Sequence, residues 1–258
     1  MRDVLSLEER GFNAWPAPRN VSFGGWVFRL GGSYTKRANS ANALGERYEM
    51  RAGSINAYTP ARDFSNVRRE AELFYAAHGQ PTIFRLSPLA GADADPALAA
   101  AGYEKLDPST VMIALLDAAQ TEPGVTLAPA PTPAWLNGIA AARGVAPSHR
   151  AIHDRIVQSI APPTAFATVH VGQTAAGFGR GVSERGAVGL FDIVIRPEFR
   201  GRGLGRALTR ALMNWGCGGG ATSAYLQVID ANRVALALYE TLGFRAAYPY
   251  HYRRRALQ

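Results

Sequence analysis

Cysteine is nearly absent: Cys217 is the only one in 258 residues, so no intramolecular disulfide can form and stability must come from a buried core. Apolar runs of signal-peptide or membrane-spanning length are also missing, and the chain opens Met1-Arg2-Asp3-Val4. Both absences lead to the expectation of a cytoplasmic protein with no membrane partner. Acidic residues are scarce in one half only. Residues 1–122 carry 13 basic and 14 acidic side chains, a balance of −1, whereas residues 123–258 carry 15 and 6, a balance of +9. A basic half suits an anionic ligand, either a nucleic acid or a small phosphorylated molecule, and the sign alone does not separate them. Two phosphate-site signatures are excluded as well, because no Gly-Lys-Ser/Thr follows a glycine loop and the glycine spacing differs from a dinucleotide fingerprint. What is present is 47% hydrophobic residues over a length that suits one large domain or two small ones.

The strongest composition shift is Glu122-Pro123-Gly124 through Pro129-Ala130-Pro131-Thr132-Pro133, whose prolines forbid a continuous helix, and a boundary is expected there, between 1–122 and 123–258. Before it, residues 26–30 read as a strand and 66–78 as a helix. After it come helices over 134–142 and 148–160, strands over 165–171, 175–182 and 188–195, a helix from about 204 to 215, a strand 223–229, a helix 232–242 and a last strand near 250–254. Antiparallel-looking strands followed by strand–helix alternation predict an α/β (α+β) fold with mixed, mostly antiparallel sheets flanked by helices. A short echo joins the halves. Leu238-Tyr239-Glu240-Thr241-Leu242-Gly243-Phe244, with Pro249 five residues on, is mirrored by Ala97-Leu98-Ala99-Ala100-Ala101-Gly102-Tyr103, with Pro108 five residues on. Each reads as a helix ended by glycine and then a strand, which suggests two copies of one fold, against the alternative of chance likeness between alanine-rich helices.

The most informative segment is Leu190-Phe191-Asp192-Ile193-Val194-Ile195-Arg196-Pro197-Glu198-Phe199-Arg200-Gly201-Arg202-Gly203-Leu204-Gly205-Arg206. An apolar strand enters a loop with three alternate glycines, then a helix whose apolar stripe is Leu204, Leu208, Ala211, Leu212 and Trp215. The first N–H groups of such a helix are unpaired and suit an oxyanion, glycines let the backbone approach a pyrophosphate, and Arg200, Arg202 and Arg206 add charged donors. Downstream, Asn232 opens a helix and Tyr239 lies seven residues on, near the same face.

Here the residues resemble the GNAT superfamily of acyl-CoA-dependent N-acyltransferases. Arg200-Gly201-Arg202-Gly203-Leu204-Gly205 is similar to its pyrophosphate loop, and Leu226 to Phe244 to its closing strand and helix; the match covers about 125–255. The resemblance implies acetyl-CoA as cosubstrate and direct attack by an amine in a ternary complex, with no metal. It implies that backbone groups of Ile193, Val194 and Ile195 pair with the pantetheine arm, that Arg200, Gly201, Arg202, Gly203, Leu204, Gly205 and Arg206 hold the pyrophosphate, and that Asn232 contacts the arm. Tyr239 matches the family's acid, which protonates the departing thiolate; the alternative is an ordinary tyrosine packed beside Leu238 and Leu242. Ribosomal-protein alanine N-acetyltransferases carry Glu where this chain has Gln227, which cannot take a proton. Asp192 is therefore the favoured base, Glu184 the other nearby carboxylate, with water relay or binding of the substrate ammonium by Asp192 as alternatives.

The first half resembles the degenerate amino-terminal copy of tandem GNAT proteins through Trp26-x-x-Arg29, Gly32 and Arg37-Ala38-Asn39-Ser40. Aligning Gly102 on Gly243 puts Leu98 opposite Tyr239, and Tyr58-Thr59-Pro60 leads into Ala61 to Asn66 without a glycine loop, so this half is not expected to bind acyl-CoA in the same way. His149 and His153 lack a third ligand in register and read as a solvated or core pair, Cys217 as a small buried side chain, and Arg253-Arg254-Arg255 as a solvated strand end. The expected acceptor is a small-molecule amine or a peptide or protein amine. Two rivals remain: a catalytically silent acyl-CoA sensor, and a nucleic-acid-binding module, for which no helix-turn-helix or stacking signature is present.

Overall fold

Hydrophobic periodicity becomes two separate cores in the computed structural model, which describes residues 2–45, 48–50, 58–60, 64–117 and 122–256. One unit comprises residues 1–12, 17–109 and 248–258, the other residues 13–16 and 110–247. This division differs from the expected one at 122/123, since 110–122 belong to the second unit and the chain's end to the first. The proline-rich stretch is no linker but part of the second unit, holding a turn, the strand Val125–Ala128 and the first residue of the helix that begins at Pro133, whereas the last strand runs on from the second unit into the first. Ala61–Asp63 and residues 118–121, on which parts of the sequence reading fall, lie outside the described residues.

The first unit contains α1 (Arg2–Asn13, whose last residue counts with the second unit), β1 (Arg19–Phe23), β2 (Trp26–Leu30), β3 (Ala41–Ala43), β4 (Tyr48–Met50), β5 (Tyr58–Pro60), α2 (Ser65–Ala77), β6 (Thr82–Leu86), α3 (Ala94–Ala100) and the start of β7 (Glu104–Leu115). β1, β2 and β3 are antiparallel neighbours, β3 runs parallel to β6, and β4 and β5 form a separate antiparallel pair. Trp26, Phe28, Phe64, Phe84 and Leu98 fill the core. The Arg29 and Asn39 pattern is structural: Asn39 Oδ1 accepts from the Gly31 and Ser33 N–H groups at 2.8 and 3.2 Å, and Arg29 Nη1 donates to the Arg37 carbonyl at 2.9 Å. The final strand, β13 (Arg245–Arg255), pairs with β6 from His251↔Leu86 to Arg255↔Thr82. Its basic triplet, expected to be solvated, is so only at Arg254, which is exposed, while Arg253 and Arg255 are half-buried, and all three are paired. Arg253 donates to Asp95 at 2.7 Å, Arg254 to Glu104 at 3.0 Å, and Arg255 pairs with Glu72 at 3.0 Å, so the three cations neutralise carboxylates of α2, α3 and β7.

The second unit contains the rest of β7, then β8 (Val125–Ala128), α4 (Pro133–Arg143), α5 (Pro147–Gln158), β9 (Thr164–Val171), β10 (Thr174–Glu184), β11 (Ala187–Ile195), α6 (Leu204–Gly218), β12 (Ser223–Ile229), α7 (Arg233–Thr241) and the start of β13. Its sheet order is β7-β12-β11-β10-β9-β8, antiparallel from β8 to β11 and parallel between β11 and β12. Each unit's sheet is thus mixed, with a parallel pair bracketing a helix: β3, α2, β6 in one and β11, α6, β12 in the other. Both α3 and α7 are followed by a glycine at positive φ, Gly102 at 78° and Gly243 at 85°, and then a strand. The stripe of α6 behaves as its spacing predicts. Leu208, Ala211 and Leu212 are buried and Leu204 and Trp215 are packed at the margin of the same core.

Candidate active site

β11 and β12 pair only from Ala187↔Ser223 to Leu190↔Leu226, yet β11 continues to Ile195 and β12 to Ile229. Beyond Leu190 the strands part, which exposes backbone hydrogen-bonding groups of the outgoing β11 segment toward the gap. On the other side of β11, the two steps from Phe178 to Arg180 oppose the three from Val194 to Phe191. The extra residue makes a β-bulge, and Asp192 adopts φ 56° there. A left-handed conformation costs an L-residue roughly 1–2 kcal/mol, Asp and Asn tolerating it best, so a local interaction has to hold it. That interaction is with Arg180: its Nε donates to Asp192 Oδ2 at 2.7 Å, with Arg180 0% and Asp192 14% exposed.

The chain leaves β11 through a 3₁₀ turn over Pro197–Phe199 and enters the glycine loop. Gly201 and Gly203 have φ of 73° and 74°, and a Cβ on either would meet nothing within 4 Å. Glycine is therefore required there by conformation, and the space above the loop is open. The Ala207 N–H returns to the Gly203 carbonyl at 3.2 Å, so the N–H groups of Leu204, Gly205 and Arg206 precede the first intrahelical bond and form the positive end of α6. Gly205 serves differently. A Cβ there would lie 3.4 Å from Leu238 Cδ2 and 3.8 Å from Ile195 Cγ1, which places the α6 N-terminus, the end of β11 and the middle of α7 against one another. Arg206 Nη2 adds a 2.7 Å bond to Thr241 Oγ1 of α7. Arg200 Nε donates to the Ile195 carbonyl at 3.2 Å and Arg202 Nη2 reaches the Glu198 carbonyl at 3.5 Å, each guanidinium keeping further donors on an exposed rim.

Asn232 is the N-cap of α7, with Oδ1 accepting from the Ala235 N–H at 3.2 Å; the cap does not use its amide NH₂, and the residue is exposed. Tyr239 is 8% exposed, its ring set edge-on to Phe244 at 5.8 Å. Among the described residues no group hydrogen-bonds its hydroxyl. Burial pushes the phenol up to about 12 while the positive charge of Arg143 pulls the other way, so the proton is held throughout the neutral range. Gln227 is half-buried on β12, and Glu184 is occupied by Asn13 Nδ2 at 3.0 Å and Arg185 at 3.1 Å.

The structure therefore brings residues 193–195, the loop 200–206 and α7 together, while Asp192 is committed to Arg180. Sequence reasoning missed Arg180 and Arg143. A charged residue inside Gly179-Arg180-Gly181 of an apolar strand was the available signal for the first, and nothing in the sequence marked the second. Cys217 is half-buried rather than buried, its Sγ 3.1 Å from the Asp117 carbonyl. His153 is buried, its Nδ1 2.7 Å from Asp154 Oδ1. Among the described residues no group of three metal-binding side chains occurs, and no helix is long and apolar enough to cross a membrane.

A mixed sheet with a splayed parallel pair, a glycine loop at a helix N-terminus and a tyrosine on the following helix define the class of GNAT N-acetyltransferases. Comparison with known proteins agrees. The family described as "Probable histone acetyltransferase Rv0428c C-terminal" matches residues 2–256. The chain is 29% identical to the "Uncharacterized N-acetyltransferase YobR" of Bacillus subtilis (strain 168), over 98% of this chain and 99% of that protein. It is 30% identical to the "Probable histone acetyltransferase Rv0428c" of Mycobacterium tuberculosis, over 94% of this chain and 70% of that protein. A solved GCN5-related N-acetyltransferase from Kribbella flavida shares the fold, with a TM-score of 0.69 at 16% identity over 97% of this chain and 94% of that one. The chain belongs to the Rv0428c C-terminal family of GNAT N-acetyltransferases.

Proposed function

We propose that the second unit transfers an acetyl group from acetyl-CoA to a primary amine by direct attack in a ternary complex. The observation that carries this reading is the convergence at Gly205 of the open glycine loop, the strand end at Ile195 and the α7 segment bearing Tyr239. Residues 193–195 offer backbone groups to the pantetheine amides; Leu204, Gly205 and Arg206 offer N–H groups to the pyrophosphate, with Gly201 and Gly203 leaving room for it. Arg200, Arg202 and Arg206 add positive charge. Asn232 uses its free amide NH₂ toward the arm. Bound acetyl-CoA supplies a thioester whose carbonyl carbon gains the new C–N bond as its C–S bond breaks. Tyr239 gives its proton to the leaving sulfur, and the nitrogen loses its proton to solvent. Asp192, expected as the base, takes no proton in this scheme, its carboxylate being held by Arg180.

The acceptor is an amine of a small molecule, peptide or protein. The Mycobacterium tuberculosis relative is described as a probable histone acetyltransferase, which makes protein amines a natural arm of the test. In the same reading the first unit is the degenerate copy: Leu98, opposite Tyr239 when Gly102 is aligned on Gly243, offers no acid, and no glycine loop follows Tyr58-Thr59-Pro60 in the sequence, so this unit is not expected to bind the acyl-CoA pyrophosphate in the same way. Calorimetry with acetyl-CoA, followed by thiol release in a panel of polyamines, aminoglycosides, peptide amino termini and basic proteins, tests the reading. Binding with thiol release from at least one amine is expected. Absence of acetyl-CoA binding refutes it, and binding without turnover on any amine replaces the enzyme by a sensor.

A further inference from the structure

The bulge in β11 begins where β11 leaves β12, and a buried charged pair that the proposed chemistry does not use sits on it. Gly179 and Gly181 face α6: a Cβ on Gly179 would lie 3.3 Å from atoms of Leu208 and Leu212, and one on Gly181 3.3 Å from Leu212 and Trp215. Arg180, between them, must project from the opposite face. There its Nε meets Asp192 Oδ2 and its Nη1 donates to the Ala14 carbonyl, both at 2.7 Å. The guanidinium carbon stands 4.8 Å from the Phe191 ring and 5.2 Å from the Trp15 ring. Phe191 is also Arg180's cross-strand partner. One buried cation thus grips two successive residues at the start of the bulge.

The consequence is a change of face. Phe191 lies on the Arg180 side of the sheet, whereas Ile193, two residues on, puts its Cδ1 2.8 Å from the Cβ position of Gly179 on the α6 side. In a regular strand both would share a face. We propose that Arg180 and Asp192 are positioning residues: the pair locks the extra residue of β11 so that Ile193–Ile195 present their backbone to the acyl donor, and Asp192 is an anchor rather than the acceptor of the amine's proton. The part concerning the donor rests on the acetyltransferase reading above.

The test compares Asp192→Asn, Asp192→Gly and Arg180→Lys in the full chain. Hydrogen exchange of the ligand-free protein is followed over residues 188–199, together with acetyl-CoA affinity, kcat, KM and the pH profile. Asn tolerates the left-handed conformation and still accepts from Nε but cannot take up a proton, so Asp192→Asn should keep exchange and affinity within about twofold, lose less than about threefold in kcat and retain the pH profile. Gly permits the φ but removes the anchor. Asp192→Gly should exchange faster over this segment and bind acetyl-CoA about tenfold more weakly, KM rising by more than kcat falls. Arg180→Lys, with one ammonium in place of the fork, should fall between them, and the two Asp192 variants decide the matter if it does not fold. A folded Asp192→Asn protein with wild-type affinity, kcat down by about 100-fold or more and the limb of the pH profile lost would make Asp192 the base and overturn the proposal. So would wild-type exchange and affinity in Asp192→Gly. If the wild-type protein does not bind acetyl-CoA, the acetyltransferase reading fails, and the exchange comparison alone still decides whether the pair locks the bulge.

Discussion

Replacing Tyr239 by Phe isolates one oxygen atom. The ring is buried against Phe244, with Leu238 and Leu242 at the margin of the same core, and all of that contact survives the change. The hydroxyl has no hydrogen bond among the described residues to lose, so the stability change should stay within about 0.5 kcal/mol and the melting temperature within about 2 °C. The rate effect is set by how good an acid the phenol is. Burial raises it to about 12, which keeps the proton in place and also makes it a reluctant donor. A thiol of ordinary acidity titrates near ~8.5, so complete transfer to a free thiolate is uphill by roughly 3.5 pH units, or about 5 kcal/mol. In the proposed reaction the hydroxyl would therefore act mainly as a hydrogen-bond donor to the sulfur as the C–S bond lengthens, with the proton following as solvent reprotonates the phenol. General acids contribute roughly 100- to 10,000-fold, and this mismatch places Tyr239 near the lower end, about 100-fold in kcat, or close to 2.7 kcal/mol. Acetyl-CoA affinity should change little. The assay is thiol release with an amine found in the panel, under conditions where chemistry limits the rate, beside calorimetry and a melting curve. An unchanged kcat removes Tyr239 from the mechanism; normal turnover per folded molecule with lost stability would show instead that the oxygen satisfies a partner within the fold.

Gly203→Glu should abolish acetyl-CoA binding in a folded protein, at a conformational cost of about 1–2 kcal/mol because φ is 74° and no atom lies within 4 Å of the new Cβ; undiminished affinity by calorimetry would refute the pyrophosphate assignment. Gly216→Ala should lose about 1–2 kcal/mol in denaturant melts despite alanine's better helix propensity, since the new Cβ would lie 2.6 Å from Cβ and Cγ1 of buried Val188. Gly218→Ala, at the end of the same helix with nothing within 4 Å, should be neutral or slightly stabilising. Stability should fall in alkali because burial raises both Tyr239 and Tyr252 from 10.0 to about 12. The folded protein holds these protons more tightly than the unfolded chain, so their contribution is intact below about pH 10 and is lost as the pH rises through about 12. Melting curves across that range should show a shallower loss in Tyr239→Phe, and an identical loss would contradict the raised phenol.

The parts of this fold that were legible in the sequence are those where one element carries its own evidence. The α6 stripe has the 3.6-residue period of a helix lying on a sheet, and Leu208, Ala211 and Leu212 are buried accordingly. The parts that were not legible depend on register between distant segments. Arg253, Arg254 and Arg255 look like a solvated end until β13 is laid beside β6, when Glu72, Asp95 and Glu104 come within reach. Thr82–Leu86 is buried along its whole length, so it shows no alternation, and Arg85 within it hides the strand further. Arg180 and Asp192 are twelve residues apart across a hairpin, and the bulge that joins them changes the strand's alternation partway, which no periodic pattern can encode.

The three loop glycines show where a motif stops and physical chemistry has to continue. In the sequence Gly201, Gly203 and Gly205 are equivalent, spaced at every second position. In the structure the first two have positive φ and open space, so they shape the loop and leave the approach to the α6 N-terminus clear. Gly205 lies in the helix and is closed in by Leu238 and Ile195, so its missing side chain lets α7 and the end of β11 approach α6. The spacing thus links two tasks that need glycine for unrelated reasons, keeping the loop open for the phosphates of the proposed acyl donor and drawing the tyrosine-bearing helix to the same place. A substitution at 203 should therefore act on affinity, and one at 205 on the position of Tyr239 and hence on kcat.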